Sequence, residues 1–269
     1  MAAIKDATLI MGDCLSELPM LSDRSVDFIF ADMPYGTSGC RWDTVIPLEP
    51  LWKELERIIT PTGIIALTAT PPFSSVVTCS NLSMFRYRWV WDKIQGGNFQ
   101  LAKLQPMNNV EDVLIFSHGK SANGAKSKAV YFPQMTKHDK PSKSGGAPSV
   151  SRLLNQNSMV AQRSVRTEKY PTALLRYKKP HSSRRFHPTE KPTGLIEYLI
   201  KTYTKSGETV LDFCMGSGST GVAALNTGRG FIGVEKDQEY FLKSKERLEN
   251  LCVGNDPDYG VLDLLQRRM

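Results

Sequence analysis

The tetrapeptide Asp32-Met33-Pro34-Tyr35 ends the apolar run Val26-Asp27-Phe28-Ile29-Phe30-Ala31 and places a carboxylate, a restricted carbonyl and a ring within four residues. An exocyclic amine on a nucleobase is a weak nucleophile because its lone pair is delocalised into the ring. Acceptors at both amino hydrogens favour a pyramidal nitrogen and the positive charge that grows during attack. The Asp32 carboxylate can be one acceptor and the backbone carbonyl of Met33 the other. Pro34 restricts Met33 to extended geometry and so helps to fix that carbonyl. Tyr35 is suited to stack on an extruded base, where stacking is worth roughly 1–3 kcal/mol.

A second chemical element lies far along the chain. Gly216-Ser217-Gly218-Ser219-Thr220-Gly221 follows the apolar run Thr209-Val210-Leu211. Its glycines let the backbone turn tightly and approach a ligand, and the following helix offers its positive N-terminus. Glu235 lies 19 residues after Gly216, placed to accept hydrogen bonds from two ribose hydroxyls. In letters the loop also suits a nicotinamide cofactor. Only 48 residues follow Gly221, room for one strand and one helix, so N-terminal strands must complete the sheet. The cofactor half then comes last and the catalytic half first, an order that disfavours a dehydrogenase.

Elements to hold these loops are legible as apolar runs bounded by turn residues. Strands are expected at Ala7–Met11, Val26–Ala31, Gly63–Thr68, Arg86–Trp91, Val113–Ser117, Thr209–Phe213 and Phe231–Glu235. Helical patterns cover Pro50–Ile59, Pro192–Lys205 and Gln238–Leu251. Strands alternating with helices predict an α/β fold with a largely parallel sheet covered on both faces.

The stretch from 118 to 186 breaks that rhythm. It holds 15 Lys/Arg against 2 Asp/Glu, leaving 19 basic and 25 acidic residues for the remainder. A cation surplus concentrated in one stretch is the footprint of a phosphate-binding surface, and Tyr131, Phe132, Tyr170, Tyr177 and Phe186 are interleaved with it. Arg163, Arg166, Arg176, Arg184 and Arg185 are candidates for DNA contact. Arg41 and Trp42, in the loop after Tyr35, are candidates to border a flipped base or to fill its vacated space, with Trp42 as a simple anchor of the loop the alternative. The 41% apolar content supports a full core, and no apolar run reaches the roughly 18 residues of a membrane span. Five cysteines without a C-x-x-C pair and four histidines argue against a zinc site or a disulfide framework. With no signal-peptide pattern at Met1 to Asp13, a cytoplasmic location is expected.

Taken in order, the motifs resemble the beta class of DNA amino-methyltransferases that use S-adenosylmethionine, and look most like the solitary enzymes of bacteriophages. The resemblance rests on Gly12-Asp13, Ser25-Val26-Asp27, Pro34-Tyr35-Gly36, Trp91-Asp92-Lys93, Glu111-Asp112-Val113-Leu114 and His187-Pro188-Thr189-Glu190-Lys191-Pro192. It continues through Val210-Leu211-Asp212 and Phe231-Ile232-Gly233-Val234-Glu235. It implies a Rossmann-like methyltransferase with a mostly parallel seven-stranded sheet in permuted order. Residues 1–117 would form the catalytic half, 118–186 a basic target-recognition insertion, and 187–269 the cofactor-binding half.

The same resemblance implies S-adenosylmethionine as cofactor, with its methionine end near Asp212, Gly216 and Gly218 and its ribose on Glu235. Its adenine would lie near Asp13 and Cys14, Lys191 would close the pocket opposite, and Asp32, Phe213 and Ser219 would complete the lining. The implied reaction is methylation of adenine N6 in double-stranded DNA after base flipping, because an aspartate-led tetrapeptide serves adenine more often than cytosine N4. Carbon-5 methylation would need a Pro-Cys pair, which the chain lacks. Relatives often pair, so a homodimer is admitted. Two departures stand out: Met33 where the family usually has proline, and Phe213-Cys214 where it usually has Pro-Phe. They leave open an inactive DNA-binding scaffold beside cytosine N4, RNA or glutamine methylation.

Overall fold

The computed structural model describes residues 2–4, 6–36, 43–144, 164–180 and 190–252. Its first strands are β1 (Ala2–Ile4), β2 (Ala7–Met11) and β3 (Val26–Ala31), with the short helix α1 (Cys14–Glu17) between the last two. Then come α2 (Leu48–Ile58), β4 (Ile59–Ala69), α3 (Phe73–Ser80), β5 (Phe85–Gly97) and β6 (Asn108–Phe116). After β7 (Thr136–Ser144), β8 (Ser164–Lys169) and β9 (Leu174–Arg176), the chain continues as α4 (Thr193–Tyr203), β10 (Thr209–Asp212), α5 (Ser219–Asn226), β11 (Gly230–Glu235) and α6 (Gln238–Cys252).

Nine of these strands form one sheet in the order β1-β2-β11-β10-β3-β4-β6-β5-β9. The run β2-β11-β10-β3-β4 is parallel throughout. Strand β6 is antiparallel to both its neighbours, and β1 and β9 are short additions at the two edges. The seven strands between those edges are the seven expected from the apolar runs.

Period-two alternation assigns the two faces. Phe28 and Phe30 of β3, with Ile64 and Ala66 of β4, pack against Leu195, Leu199, Val222 and Leu248 of α4, α5 and α6. Ile29 and Ala31, with Ile65 and Leu67, pack on the other face against Leu51, Leu55, Ile58 and Val77 of α2 and α3. Helices thus cover both faces of a sheet whose central strands are buried end to end.

Three strands extend beyond the bounds the sequence suggests. Strand β4 begins at Ile59, where a register shift between Val26 and Phe28 of β3 admits the exposed Pro61; a residue with no N–H to give is tolerated at such an irregularity. Strands β5 and β6 run on past the core as a hairpin to Gly97 and Asn108. Helix α3, Phe-Ser-Ser-Val-Val-Thr-Cys-Ser, has weak intrinsic propensity and forms because Phe73 and Val77 are buried.

By contact clustering the chain falls into two units, residues 1–132 with 173–269, and residues 133–172. The second contains the antiparallel pair β7–β8 and falls within the basic stretch. Among the described residues no helix is long and apolar enough to cross a membrane.

Candidate active site

Strand β3 delivers Asp32 just beyond its carboxyl end, where Lys191, Thr68 and Tyr35 contact its carboxylate and Glu111 and Lys93 extend the cluster. The Lys191 ammonium lies 2.5 Å from Asp32 Oδ2. Thr68 of β4 donates its hydroxyl to Oδ1 at 2.5 Å, and Tyr35 donates to the same oxygen at 2.9 Å. The Lys191 ammonium also pairs with Glu111 Oε1 at 3.0 Å, while Lys93 pairs with Oε2 at 2.9 Å. Two carboxylates and two ammonium groups therefore form a neutral, largely dehydrated cluster, with Glu111 only 5% exposed. Trp91 stands beside it, its ring 5.5 Å from the Lys93 ammonium and 5.9 Å from that of Lys191, close enough for cation–π attraction.

The electrostatics follow from this packing. Burial alone would raise the Glu111 carboxyl, but Lys191 and Lys93 overcome it and hold the group at about 2. Burial alone would lower Lys191, but Asp32 and Glu111 raise it above the ordinary lysine range. Burial, reinforced by Asp32 and Glu111, pushes the Tyr35 hydroxyl well up, so it remains a donor. A carboxylate has about four lone-pair positions. Thr68, Tyr35 and Lys191 use three of them on Asp32, which leaves room on Oδ2 for one further N–H.

The glycine loop joins β10 to α5. Gly216 and Gly218 both have positive φ, +49° and +74°, and a Cβ at Gly218 would lie 3.0 Å from that of Ser244. Only glycine meets both demands at 218. Asp212 ends β10, accepting from Thr220 Oγ1 at 2.6 Å and from the Cys214 amide at 3.1 Å. Burial raises its carboxyl to about 7. Glu235 ends β11, accepting from the amides of Gly216 and Asp237, each at 2.8 Å. Each of its oxygens keeps a lone pair, so the pair can accept a vicinal diol.

At the crevice's far end Asp13 caps α1 through the Leu15 amide at 3.0 Å. Cys14 is buried, and burial pushes its thiol to about 11, so it offers a neutral wall to an uncharged ring. Ser219 contacts Glu190, which pairs with Arg247 at 2.8 Å. Asp13, Cys14, Glu190, Asp212, Gly216, Ser219 and Glu235 line one crevice of about 770 Å³, shared with Asp32, Met33, Pro34, Tyr35, Lys191, Phe213 and Cys214. Its size and its acceptors for a diol and a cation fit an adenosine-containing sulfonium cofactor.

Tyr35 is turned inward, its ring 5.2 Å from that of Phe73, and its hydroxyl is within reach of both Asp32 and Glu111. Arg176 ends β9 and pairs with Asp92 at 3.3 Å; Arg166 falls in β8. Arg41, Trp42, Arg163, Arg184 and Arg185 lie outside the described residues. Sequence reasoning assigned no role to Thr68, Lys93 or Glu111. The available signal was a charged pair, Glu111-Asp112, directly before the apolar run Val113-Leu114-Ile115-Phe116.

The two departures from the family pattern meet in space. Cys214 donates its thiol to the Asp32 carbonyl at 3.4 Å, and burial raises that thiol, so it keeps its proton. Proline at position 33 would restrict Asp32 and hence that same carbonyl. Here the thiol and the burial of the Met33 side chain, 2% exposed, hold the peptide instead.

Comparison with known proteins gives one consistent picture. A family profile described as DNA methylase, of the N6/N4 methyltransferase type, matches residues 26–246. The Type II methyltransferase M.HinfI of Haemophilus influenzae is 27% identical over 96% of this chain and 72% of its own length. The M1.HpyAVI–SAM complex shares the fold with a TM-score of 0.59 at 22% identity, covering 90% of this chain and 100% of that one. The cytosine-N4-specific PvuII DNA methyltransferase has a TM-score of 0.61 at 16% identity, covering 89% and 85%.

Two outcomes are expected. Glu111→Gln leaves two ammonium groups with one carboxylate fewer and lowers stability at neutral pH by about 3–5 kcal/mol. The wild-type advantage is fully present above the ordinary carboxyl value of 4.5 and disappears as pH falls toward 2. Denaturant unfolding across that range checks it, and equal stability at neutral pH contradicts it. Cys214→Ala lowers methyl-transfer turnover about two- to fivefold, the size of one S–H···O contact. Met33→Pro in the Cys214→Ala background restores turnover. A double-mutant cycle with no coupling would refute the compensation.

Proposed function

The chain belongs to the DNA methylase family, and on that premise we propose that it methylates the N6 amine of adenine in double-stranded DNA, using S-adenosylmethionine. The observation that supports this most is the shared crevice: Asp32 and its charge cluster line the same cavity as Gly216 and Glu235. When bound, the cofactor supplies an electrophilic methyl group on a sulfonium centre.

The residues do the rest by orientation and electrostatics. Glu235 accepts the ribose hydroxyls, Asp212 faces the amino-acid ammonium, and Cys14 walls the adenine. Asp32 Oδ2 accepts one hydrogen of the target amine and the Met33 carbonyl the other, so lone-pair density concentrates on the side facing the methyl. Lys191, Thr68 and Tyr35 hold the Asp32 carboxylate in place before the base arrives, so little reorganisation is needed during attack. The target base reaches the crevice only after leaving the duplex stack, which costs a few kcal/mol. Cations of the basic stretch offset this by gripping phosphates. The aspartate at the head of the tetrapeptide favours adenine; cytosine N4 is the alternative.

Labelled cofactor and mixed-sequence duplex should place label in N6-methyladenine, and Asp32→Ala should lower the rate about 10²–10³-fold while S-adenosylhomocysteine still binds. Label found only in N4-methylcytosine overturns the base assignment, and none in DNA overturns the activity. Because Asp212 titrates at about 7, a cation beside it favours the ionised form. Calorimetric affinity for S-adenosylhomocysteine should therefore rise about tenfold from about pH 6 to about pH 8. An affinity that does not change with pH places the ammonium elsewhere.

A further inference from the structure

The hairpin between β5 and β6 exposes apolar side chains beside the crevice mouth. Ile94, Phe99, Leu101, Leu104, Met107 and Val110 are all exposed, Phe99 at 75% and Leu104 at 83%. The tip is a folded knob. Leu101 and Ala102 donate amides to the carbonyls of Asn98 and Phe99 at 2.9 and 3.1 Å, and Leu104 donates to that of Leu101 at 2.8 Å. Ile94 and Asn98 hold positive φ of 67° and 60°, a conformation that persists only where surrounding bonds enforce it; Ile94 donates its amide to Asp92 at 2.8 Å.

The foot of this knob belongs to the active site, since Lys93, Asn98, Asn108 and Glu111 line the crevice with Asp32. Its composition is selective. No carboxylate occurs from 93 to 110, and Gln95, Asn98, Gln100, Gln105, Asn108 and Asn109 are amides. Side-chain amides pair with base edges, and apolar wedges of Phe, Leu, Ile or Met unstack base steps.

We propose that the 94–107 knob enters the duplex beside the target and fills the gap left by the flipped base, with Phe99 and Leu104 as the wedge. This rests on the DNA-methylation reading above. A second copy of the chain is a poorer occupant. Two identical knobs would bring lysine and amides together with no carboxylate to answer them, and would crowd the opening through which a base must pass.

Phe99→Ser, Leu104→Ser and the double variant test this, with thermal unfolding and S-adenosylhomocysteine affinity as controls, because neither side chain supports the core. With mixed-sequence duplex, kcat/KM should fall at least about tenfold in the double variant. On the same DNA carrying mispaired stretches, already unstacked, the loss should shrink to about twofold. Bound to relaxed closed-circular plasmid in the presence of topoisomerase, the wild type should change the linking number more than the variants do. Unchanged duplex kinetics and unwinding in the variants overturn the wedge while leaving methylation intact. Conversion of a dimer to a monomer in sedimentation, with activity lost on both DNAs alike, assigns the knob to a second copy instead. A wild type that neither binds nor methylates DNA refutes the underlying reading itself.

Discussion

The ammonium of Lys191 lies between two carboxylates, 2.5 Å from Asp32 and 3.0 Å from Glu111, in a place from which water is largely excluded. Two carboxylates held on one ammonium repel each other and need more than one cation to balance them. Lys191 and Lys93 supply those cations, and the Trp91 ring lends its face to both. The Asp32 carboxylate thus has a fixed position and a fixed set of donors before any ligand arrives. A preorganised acceptor of this kind stabilises developing charge without having to reorient, and a loop carboxylate in water lacks that advantage.

Sheet order makes the convergence possible. β3, β10 and β11 are neighbouring parallel strands, so Asp32, Asp212 and Glu235 emerge together just at or beyond their carboxyl ends. From β3 the chain proceeds to β4 on one side, and β10 lies on the other, with α2 and α3 packed on one face and α4, α5 and α6 on the opposite face. A crevice opens at such a switch point because the flanking connections diverge there. Lys191 arrives just before α4 and brings its charge to the foot of the same opening.

Parts of this were legible in the sequence for identifiable reasons. β2 and β3 lie where their apolar runs place them, because central strands bury both faces and turn residues bound them closely. The glycine loop and Glu235 were legible because their signal is local: strand, turn, helix, strand. The charge cluster was not, because its members at 32, 68, 93, 111 and 191 share no period and meet only through strand order. Nor was the contact of Cys214 with Asp32, although both departures that it joins were visible as letters. The hairpin tip was not singled out because the apolar residues at 99, 101 and 104 form no strand or helix pattern of their own; only the fold shows that Phe99 and Leu104 are exposed.

In the proposed reading the site and the knob would divide the work of acting on a stacked base: Asp32 and its partners would stabilise the amine in the crevice, while the knob and the cationic stretch would act on the duplex that must release it. The most direct measurement of the central geometry is a crystal structure with sinefungin and duplex DNA containing an extruded adenine. The expected result is the inhibitor seated between Gly216 and Glu235, with the N6 amine hydrogen-bonded to Asp32 and the Met33 carbonyl while Lys191 still bridges Asp32 and Glu111. A sinefungin site away from Gly216, or an Asp32 that parts from Lys191 and turns from the amine, would contradict it.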